Sequence, residues 1–256
     1  MENCQVIGVG TFAERISDDK TMLYDNYFHS ISGGDFNLQR ELRYAKRIFE
    51  RYYQPYITGG SSARILEVGC GFGKILWAAT QCGFSNIEGV DISEDQIAYA
   101  RNELGLKAER GDAIERLRAL RSELDVVMII DVLEHCALEY GLSLLKMART
   151  ALKPGGIIIV QVPNGLSPLA PTYHGDVTHI RAFSPQSLAQ LLRLSGYRRF
   201  GFHAMLPIVH GPLSAIRHGI WRFVVTPGIM LYLLLAIGGK GGGIFTPNIV
   251  AVAVND

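Results

Sequence analysis

No aspartate or glutamate occurs between Val177 and Asn255, although the whole chain carries 24 acidic against 25 basic residues, a formal +1. Arg181, Arg193, Arg198, Arg199, Arg217, Arg222 and Lys240 give that stretch +7, while residues 1–176 hold 18 basic and 23 acidic side chains, or −5. An even total therefore hides an acidic body joined to a basic, apolar end. Cysteine is also scarce. Cys4, Cys70, Cys82 and Cys136 form no CxxC and no paired spacing, which excludes a disulfide framework and makes a reducing cytoplasm the expected compartment. The start, MENCQVIGVGTFAERISDD, lacks a basic region followed by an apolar stretch, so no signal peptide is expected. Internal repeats and low-complexity linkers are missing too. Charged content of 19% beside 48% hydrophobic residues excludes a disordered chain, and 256 residues suit one large domain or two small ones.

What is present is an alternation. Residues 37–54 place Leu38, Leu42, Ala45, Phe49 and Tyr52/Tyr53 at helical spacing. Short apolar runs follow at 64–69, 86–91, 106–110, 124–130 and 156–162, with helical patterns between them. Ser93 and Gln96 read as a capping box opening a helix through Leu104. Leu152-Lys153-Pro154-Gly155-Gly156 ends a helix and turns into a strand. Ser184-Pro185 starts the helix carrying Leu188, Leu191 and Leu192. Two further strands are expected at 198–206 and 248–254. Near-continuous apolar strands alternating with helices predict a parallel sheet covered on both faces.

The first strand runs into Glu67-Val-Gly69-Cys-Gly71-Phe-Gly73 ahead of a helix. Glycines permit a tight turn and a ligand's close approach to main-chain N–H groups. The spacing is GxGxG, with Lys74 where a dinucleotide fingerprint has its third glycine, which disfavours a nicotinamide oxidoreductase. Asp91 ends the second strand, where a carboxylate can accept from two ribose hydroxyls. Asp112 ends the third, where it can accept from an adenine amino group. Taken singly, each acid is more often a helix cap or a solvated turn; together they mark one ligand-binding edge.

The elements ILEVGCGFG (65–73), GVDIS (89–93), GDA (111–113), VVMIIDVLEH (126–135) and LKPGG (152–156), in this order and spacing, resemble class I S-adenosylmethionine-dependent methyltransferases over roughly residues 60–200. The resemblance implies an α/β, Rossmann-like, doubly wound sheet of seven mostly parallel strands, the last antiparallel. It divides the chain into an N-terminal helical lid (1–60), a cofactor-binding core (61–204), an insert (205–246) and a final strand (247–256). It puts Gly69, Gly71 and Gly73 under the methionine moiety, Asp91 on the ribose, Ile92 on the adenine face, and Asp112 and Ala113 at the adenine's amino edge. Glu67, Cys70, Gln96 and Asp131 complete the expected cofactor set, with no redox role for Cys70. In such a lid, Tyr24, Tyr27, His29, Arg40 and Arg43 are candidates to fold over the cofactor.

Asp131-Val-Leu-Glu134-His135 leaves the fourth strand where the methyl group is presented. A hydroxyl acceptor must lose its proton, and a histidine base or a divalent metal serves that need. The other reading has Glu134 and His135 capping the next helix. A second polar loop, His174 to Ser184, carries His179 followed by Phe183. This pattern resembles the metal site of small-RNA 2′-O-methyltransferases, and ubiquinone-pathway O-methyltransferases carry a similar acidic-Glu-His sequence. By position the resemblance implies Asp131, Glu134, His135 and His179 as ligands for Mg²⁺, Mn²⁺ or Fe²⁺, with a shorter Asp131 where the RNA enzymes have glutamate.

About 40 residues, 205–245, separate the last two strands, and Phe223–Gly239 holds no charge. Because those strands form a hairpin, the insert must return to the side it left. It reads as a membrane-surface element flanked by Arg217, His218, Trp221 and Arg222, or as an ordinary lid or a dimer contact. DVTHIRAFSPQSLAQLLRLSGY (176–197) and the ending FTPNIVAVA (245–253) resemble bacterial methyltransferases of surface-polysaccharide and other glycan pathways. The resemblance makes an O-methyltransferase acting on a saccharide or lipid-linked glycan precursor the leading expectation, cytoplasmic and peripheral at the inner face of the membrane. Alternatives are methylation of a prenylated phenol or another small lipophilic molecule, and a non-catalytic S-adenosylmethionine-binding subunit. No [DN]PP[FYW] motif follows the fourth strand, so nucleic acid is not the expected acceptor.

Overall fold

Strand β1 spans Ile65–Val68, β2 Ile87–Asp91, β3 Ala108–Arg110, β4 Leu124–Ile130, β5 Leu152–Pro163, β6 Arg199–Ala204 and β7 Asn248–Val254. In the computed structural model, which describes residues 37–239 and 241–256, they form one sheet in the order β3-β2-β1-β4-β5-β7-β6. Strand β7 runs antiparallel to both neighbours, and the other six are parallel. Strand β4, LDVVMII, matches its expected boundaries because both of its faces are buried, so its apolar run is unbroken.

Alternate strand residues feed two cores. Val127 and Ile129 of β4, with Leu66, Val68, Ile158 and Val160, pack against helices α5 (Leu138–Ala151) and α7 (Pro185–Leu194). Val126, Met128 and Ile130, with Ile65, Ile157 and Ile159, face α1 (Leu38–Ile48), α2 (Lys74–Gln81) and α3 (Glu94–Asn102). The remaining helices are α4 (Ala113–Arg118), α6 (Pro171–His174), α8 (Pro212–Ile220) and α9 (Thr226–Ile237).

Three details differ from the sequence reading, and a fourth falls partly outside the described residues. The helix expected over 37–54 is α-helical only to Ile48; Phe49–Tyr53 form a π-helical turn. That turn buries Phe49, Tyr52 and Tyr53. Helix α3 ends at Asn102 rather than Leu104, and only half of a capping box forms: Ser93 Oγ accepts from Gln96 N–H at 3.5 Å. The Lys153–Gly156 segment belongs to β5, whose register against β4 shifts between Leu124 and Val126. Finally, Tyr24, Tyr27 and His29 lie outside the described residues, while Arg40 and Arg43 are exposed on α1.

Candidate active site

The loop after β1 is pinned to β2, since Gly69 N–H and Cys70 N–H donate to the Val90 carbonyl at 2.8 and 3.2 Å. Gly69 and Gly71 have φ of +67° and +54°. A Cβ on Gly69 would collide with Val132, and one on Gly71 would sit 2.8 Å from Gln96 Oε1. Both positions therefore favour glycine for conformation, and Gly69 for space as well. Asp91 closes the loop: its Oδ2 accepts from Gly71 N–H at 2.8 Å and its Oδ1 from Ser93 N–H at 2.9 Å. Burial pushes the Asp91 carboxyl up, and the amides of Ser93 and Gly71 pull it down.

A cleft of about 330 Å³ opens at the C-terminal edge of β1, β2 and β4, where ligands bind in sheets of this kind. Among the expected cofactor residues, Gly69, Gly71, Asp91, Ile92, Gln96, Ala113 and Asp131 line it. Ile92 is 52% exposed at its mouth, as a side chain awaiting a flat apolar partner would be. Asp112, Glu67, Cys70 and Gly73 do not line it. Asp112 instead caps α4, accepting from Ile114 N–H at 2.9 Å and Glu115 N–H at 3.0 Å, and its Oδ2 accepts from the Tyr140 hydroxyl at 2.8 Å. Tyr140 lines the cleft, and no spacing in the sequence singles it out. Cys70 Sγ is buried beside Gly89, and Gly73 precedes α2 with φ +85°.

Glu67 lies beneath the loop, 2% exposed, with Oε2 lacking a hydrogen-bond partner. Burial pushes its carboxyl from 4.5 to about 8, against the opposing charge of Lys74. In the unfolded chain it ionises near the ordinary value, so the folded state binds more protons between these limits. Stability should therefore fall as pH rises from about 4.5 to about 8, by roughly 5 kcal/mol across that window. Glu67→Gln removes this dependence. Thermal melts of the ligand-free protein should show the variant gaining on the parent steadily between pH 5 and 8, and curves that stay parallel would contradict the account.

The second half of the site joins two distant segments. Glu134 and His135 sit in a 3₁₀ turn, Leu133–His135, and neither side chain caps α5. The Glu134 carbonyl accepts from Ile180 N–H at 2.9 Å and Arg181 N–H at 3.2 Å, which docks the loop after β5 onto this turn. Potential ligand atoms of Glu134, His135 and His179 consequently lie within 4.8 Å of one another. Glu134 is 0% exposed, both carboxylate oxygens lack partners among the described residues, and burial holds it well above the ordinary carboxylate range. The Thr178 hydroxyl donates to Asp176 Oδ1 at 2.6 Å, so its oxygen accepts from His135 Nδ1 at 2.9 Å. His179 Nδ1 donates to the Tyr173 carbonyl at 2.9 Å. Both tautomers thus leave Nε2 as the basic nitrogen, and His179 Nε2 is 4.0 Å from Glu134 Oε1.

Asp131, expected as a fourth member, is absent from that group. It has φ +54° and receives both oxygens' hydrogen bonds from Gln161 Nε2 at 2.9 and 3.0 Å. Gln161 Oε1 in turn accepts from the Tyr53 hydroxyl at 2.5 Å. The π-helical turn that buries Tyr53 is thereby connected to the cleft, and left-handed backbone at an aspartate beside a cleft is a strain that functional sites tolerate.

A parallel sheet with a glycine-rich first turn, an acid after the second strand and a cleft over both defines a nucleoside-binding α/β enzyme. The family described as Methyltransferase domain matches residues 36–199, and the chain belongs to it, with the fold of the class I S-adenosylmethionine-dependent methyltransferases. It is similar to the crystal structure of an S-adenosylmethionine-dependent methyltransferase from Archaeoglobus fulgidus, with a TM-score of 0.65 and 25% identity over 90% of this chain and 100% of that one. It is 27% identical over 128 residues to N-terminal Xaa-Pro-Lys N-methyltransferase 1 of Rattus norvegicus, covering 47% of this chain and 56% of that protein. A second relative, N-terminal Xaa-Pro-Lys N-methyltransferase 1-B of Xenopus laevis, is 22% identical over 160 residues, 56% of this chain and 72% of that one. The chain thus spans little more than half the length of the rat relative.

Proposed function

We propose that this enzyme transfers the methyl group of S-adenosylmethionine to a hydroxyl of a saccharide or lipid-linked glycan precursor. The observation that supports this reading is the group of buried Glu134 with half-buried His135 and His179, which reaches the cleft through His135. In this reading Asp91 receives the ribose hydroxyls, Ile92 covers the adenine, Ala113 lies at its rim, and Asp131 faces the methionine ammonium. His135 lines the cleft, and burial, followed by the neighbouring His179, holds its imidazole below the ordinary value. A neutral imidazole of this kind can take the acceptor proton as the sulfonium carbon is attacked.

A partnerless buried carboxylate beside two imidazoles that present Nε2 also fits Mn²⁺, Fe²⁺ or Mg²⁺. Bound there by Glu134, His135 and His179, such an ion would lower the acceptor hydroxyl's pKa. Asp131 is held by Gln161 and takes no part in that set.

The N-terminal Xaa-Pro-Lys N-methyltransferases among its relatives favour a second reading, with a protein α-amine as acceptor. An α-amine has an ordinary pKa near 8 and needs little help in losing its proton, so it gives the acid–imidazole group less to do. Methyl-labelled S-adenosylmethionine, offered with lipid-linked oligosaccharides, prenylated phenols and Xaa-Pro-Lys peptides in parallel, separates the readings. The expected outcome is an alkali-stable methyl ether on the glycan fraction, enhanced by Mn²⁺ after chelation if a metal is used. Labelled peptide instead would overturn the hydroxyl reading.

A further inference from the structure

We infer that residues 212–237 dock lengthwise into the surface of an anionic membrane without crossing it, holding the cleft against that surface. The inference names the partner that presents the acceptor and rests on the hydroxyl reading only for what that acceptor is.

Pro212–Ile237 form one continuous helical segment of 26 residues, in which a π-helical turn at Trp221–Val225 joins α8 to α9. Ser214, His218, Trp221, Val225, Ile229 and Leu233 are buried or half-buried along one stripe, and Gly219, Thr226 and Met230 beside it are half-buried too. The opposite arc carries Leu213, Ile216, Phe223, Val224, Leu231 and Leu235 in the open, with Phe223 and Leu235 77% and 79% exposed. At 3.6 residues per turn these exposed apolar positions lie within about one third of the helix circumference.

Charge points to an anionic surface. The helix carries Arg217 and Arg222 in its first half and no charge over Thr226–Ile237, within a stretch free of acids from Val177 to Asn255. Cations at one end, aromatic Trp221 and Tyr232, and an uncharged second half suit a headgroup interface rich in anions.

The tethers decide between lying and spanning. The helix is roughly 39 Å long at 1.5 Å per residue. Its exit is fixed, because Asn164 Nδ2 donates to the carbonyls of Ile244 and Thr246 at 3.0 and 2.9 Å, and Phe245 is 1% exposed. The seven steps from Ile237 to Ile244 reach about 25 Å at most. That is less than the roughly 30 Å hydrocarbon core, so Ile237 cannot sit on the far side while Ile244 stays on the sheet. The entry is fixed too, where the Tyr52 hydroxyl donates to the Leu206 carbonyl and Met205 N–H donates to Thr246 Oγ1 at 3.1 Å. Both tethers leave from Ala204 and Asn248, at the sheet edge that also bears the cleft, because β6 runs parallel to β4 and β7 runs back. A helix docked there sets the acceptor site at the lipid surface.

Flotation of the full chain with phosphatidylcholine vesicles, with and without phosphatidylglycerol, tests this. Wild type should float with the anionic vesicles and be released by high salt and dilution. Phe223→Glu with Leu235→Glu should lower the bound fraction at least tenfold, and Arg217→Glu with Arg222→Glu should abolish the preference for anionic lipid. Both variants should keep wild-type affinity for S-adenosylhomocysteine, which shows the core folded. Absent flotation, or flotation indifferent to the paired glutamates, overturns the inference. A dimer in analytical ultracentrifugation that the paired glutamates dissociate assigns the helix to a second copy instead, and retention that salt and dilution cannot reverse overturns the surface-bound arrangement. Methyl transfer to a water-soluble glycan measures the active site separately, so failure of docking and failure of the hydroxyl reading remain distinct.

Discussion

Asp91→Ala raises the dissociation constant for S-adenosylhomocysteine by about 10²- to 10⁴-fold, read by isothermal titration, with the fold intact. The carboxylate has two tasks. Its oxygens accept from Gly71 N–H and Ser93 N–H, which holds the glycine turn open, and they remain available to ribose hydroxyls at the cleft. Hydrogen bonds to a charged group contribute roughly 1.5–3 kcal/mol each, and losing two spans the stated range. Asp91→Asn distinguishes the tasks, because it keeps the shape but sets an amide donor against at least one N–H donor. It should bind nearly as weakly as the alanine variant. Affinity within about threefold of wild type for both variants would show that Asp91 only shapes the turn, and the cofactor reading of this acid would be lost.

His135→Ala lowers kcat by about 10²- to 10⁴-fold while the affinity for S-adenosylhomocysteine moves by a few fold. The reasoning starts at Asp176, whose Oδ1 takes the Thr178 hydroxyl proton and so obliges the Thr178 oxygen to accept from His135 Nδ1. The imidazole is fixed with Nε2 as its basic nitrogen. Burial and His179 hold its pKa below the ordinary value, so protonation, and loss of activity, set in at a lower pH than for a surface histidine. Thr178→Val removes the relay and should cost less than His135→Ala while shifting the acid limb of the pH profile. Near-normal turnover by both His135→Ala and His179→Ala at saturating acceptor would remove the group from the mechanism.

Much of this site is legible before any coordinates. The run LDVVMII reads as a strand because parallel strands bury both faces, and Gly69, Gly71 and Asp91 read as one unit because strand, turn and acid are close in sequence. Asp112 reads less well: the same carboxylate suits a ligand or a helix cap, and here it caps α4 and holds Tyr140. Its N2 and N3 amides are its sequence neighbours, so the cap forms whether or not a cofactor is bound. Asp131 likewise matches a ligand by spacing alone. Gln161, from the neighbouring strand, occupies it instead, and nothing in the sequence of either strand announces that pairing. Thr178 and Asp176 carry no spacing signal at all, since their partner lies more than forty residues away along the chain.

By itself, then, the sequence determined the class of fold, the cofactor, and the existence of an apolar insert in an acid-free region. Each depends on patterns within a few dozen residues, where periodicity and turn chemistry act. Tertiary structure decided which acids face the cleft, which imidazole nitrogen is basic, and where the two ends of the insert are tied to the sheet. Those are questions of distance between segments far apart in the chain, and only the packed sheet sets such distances.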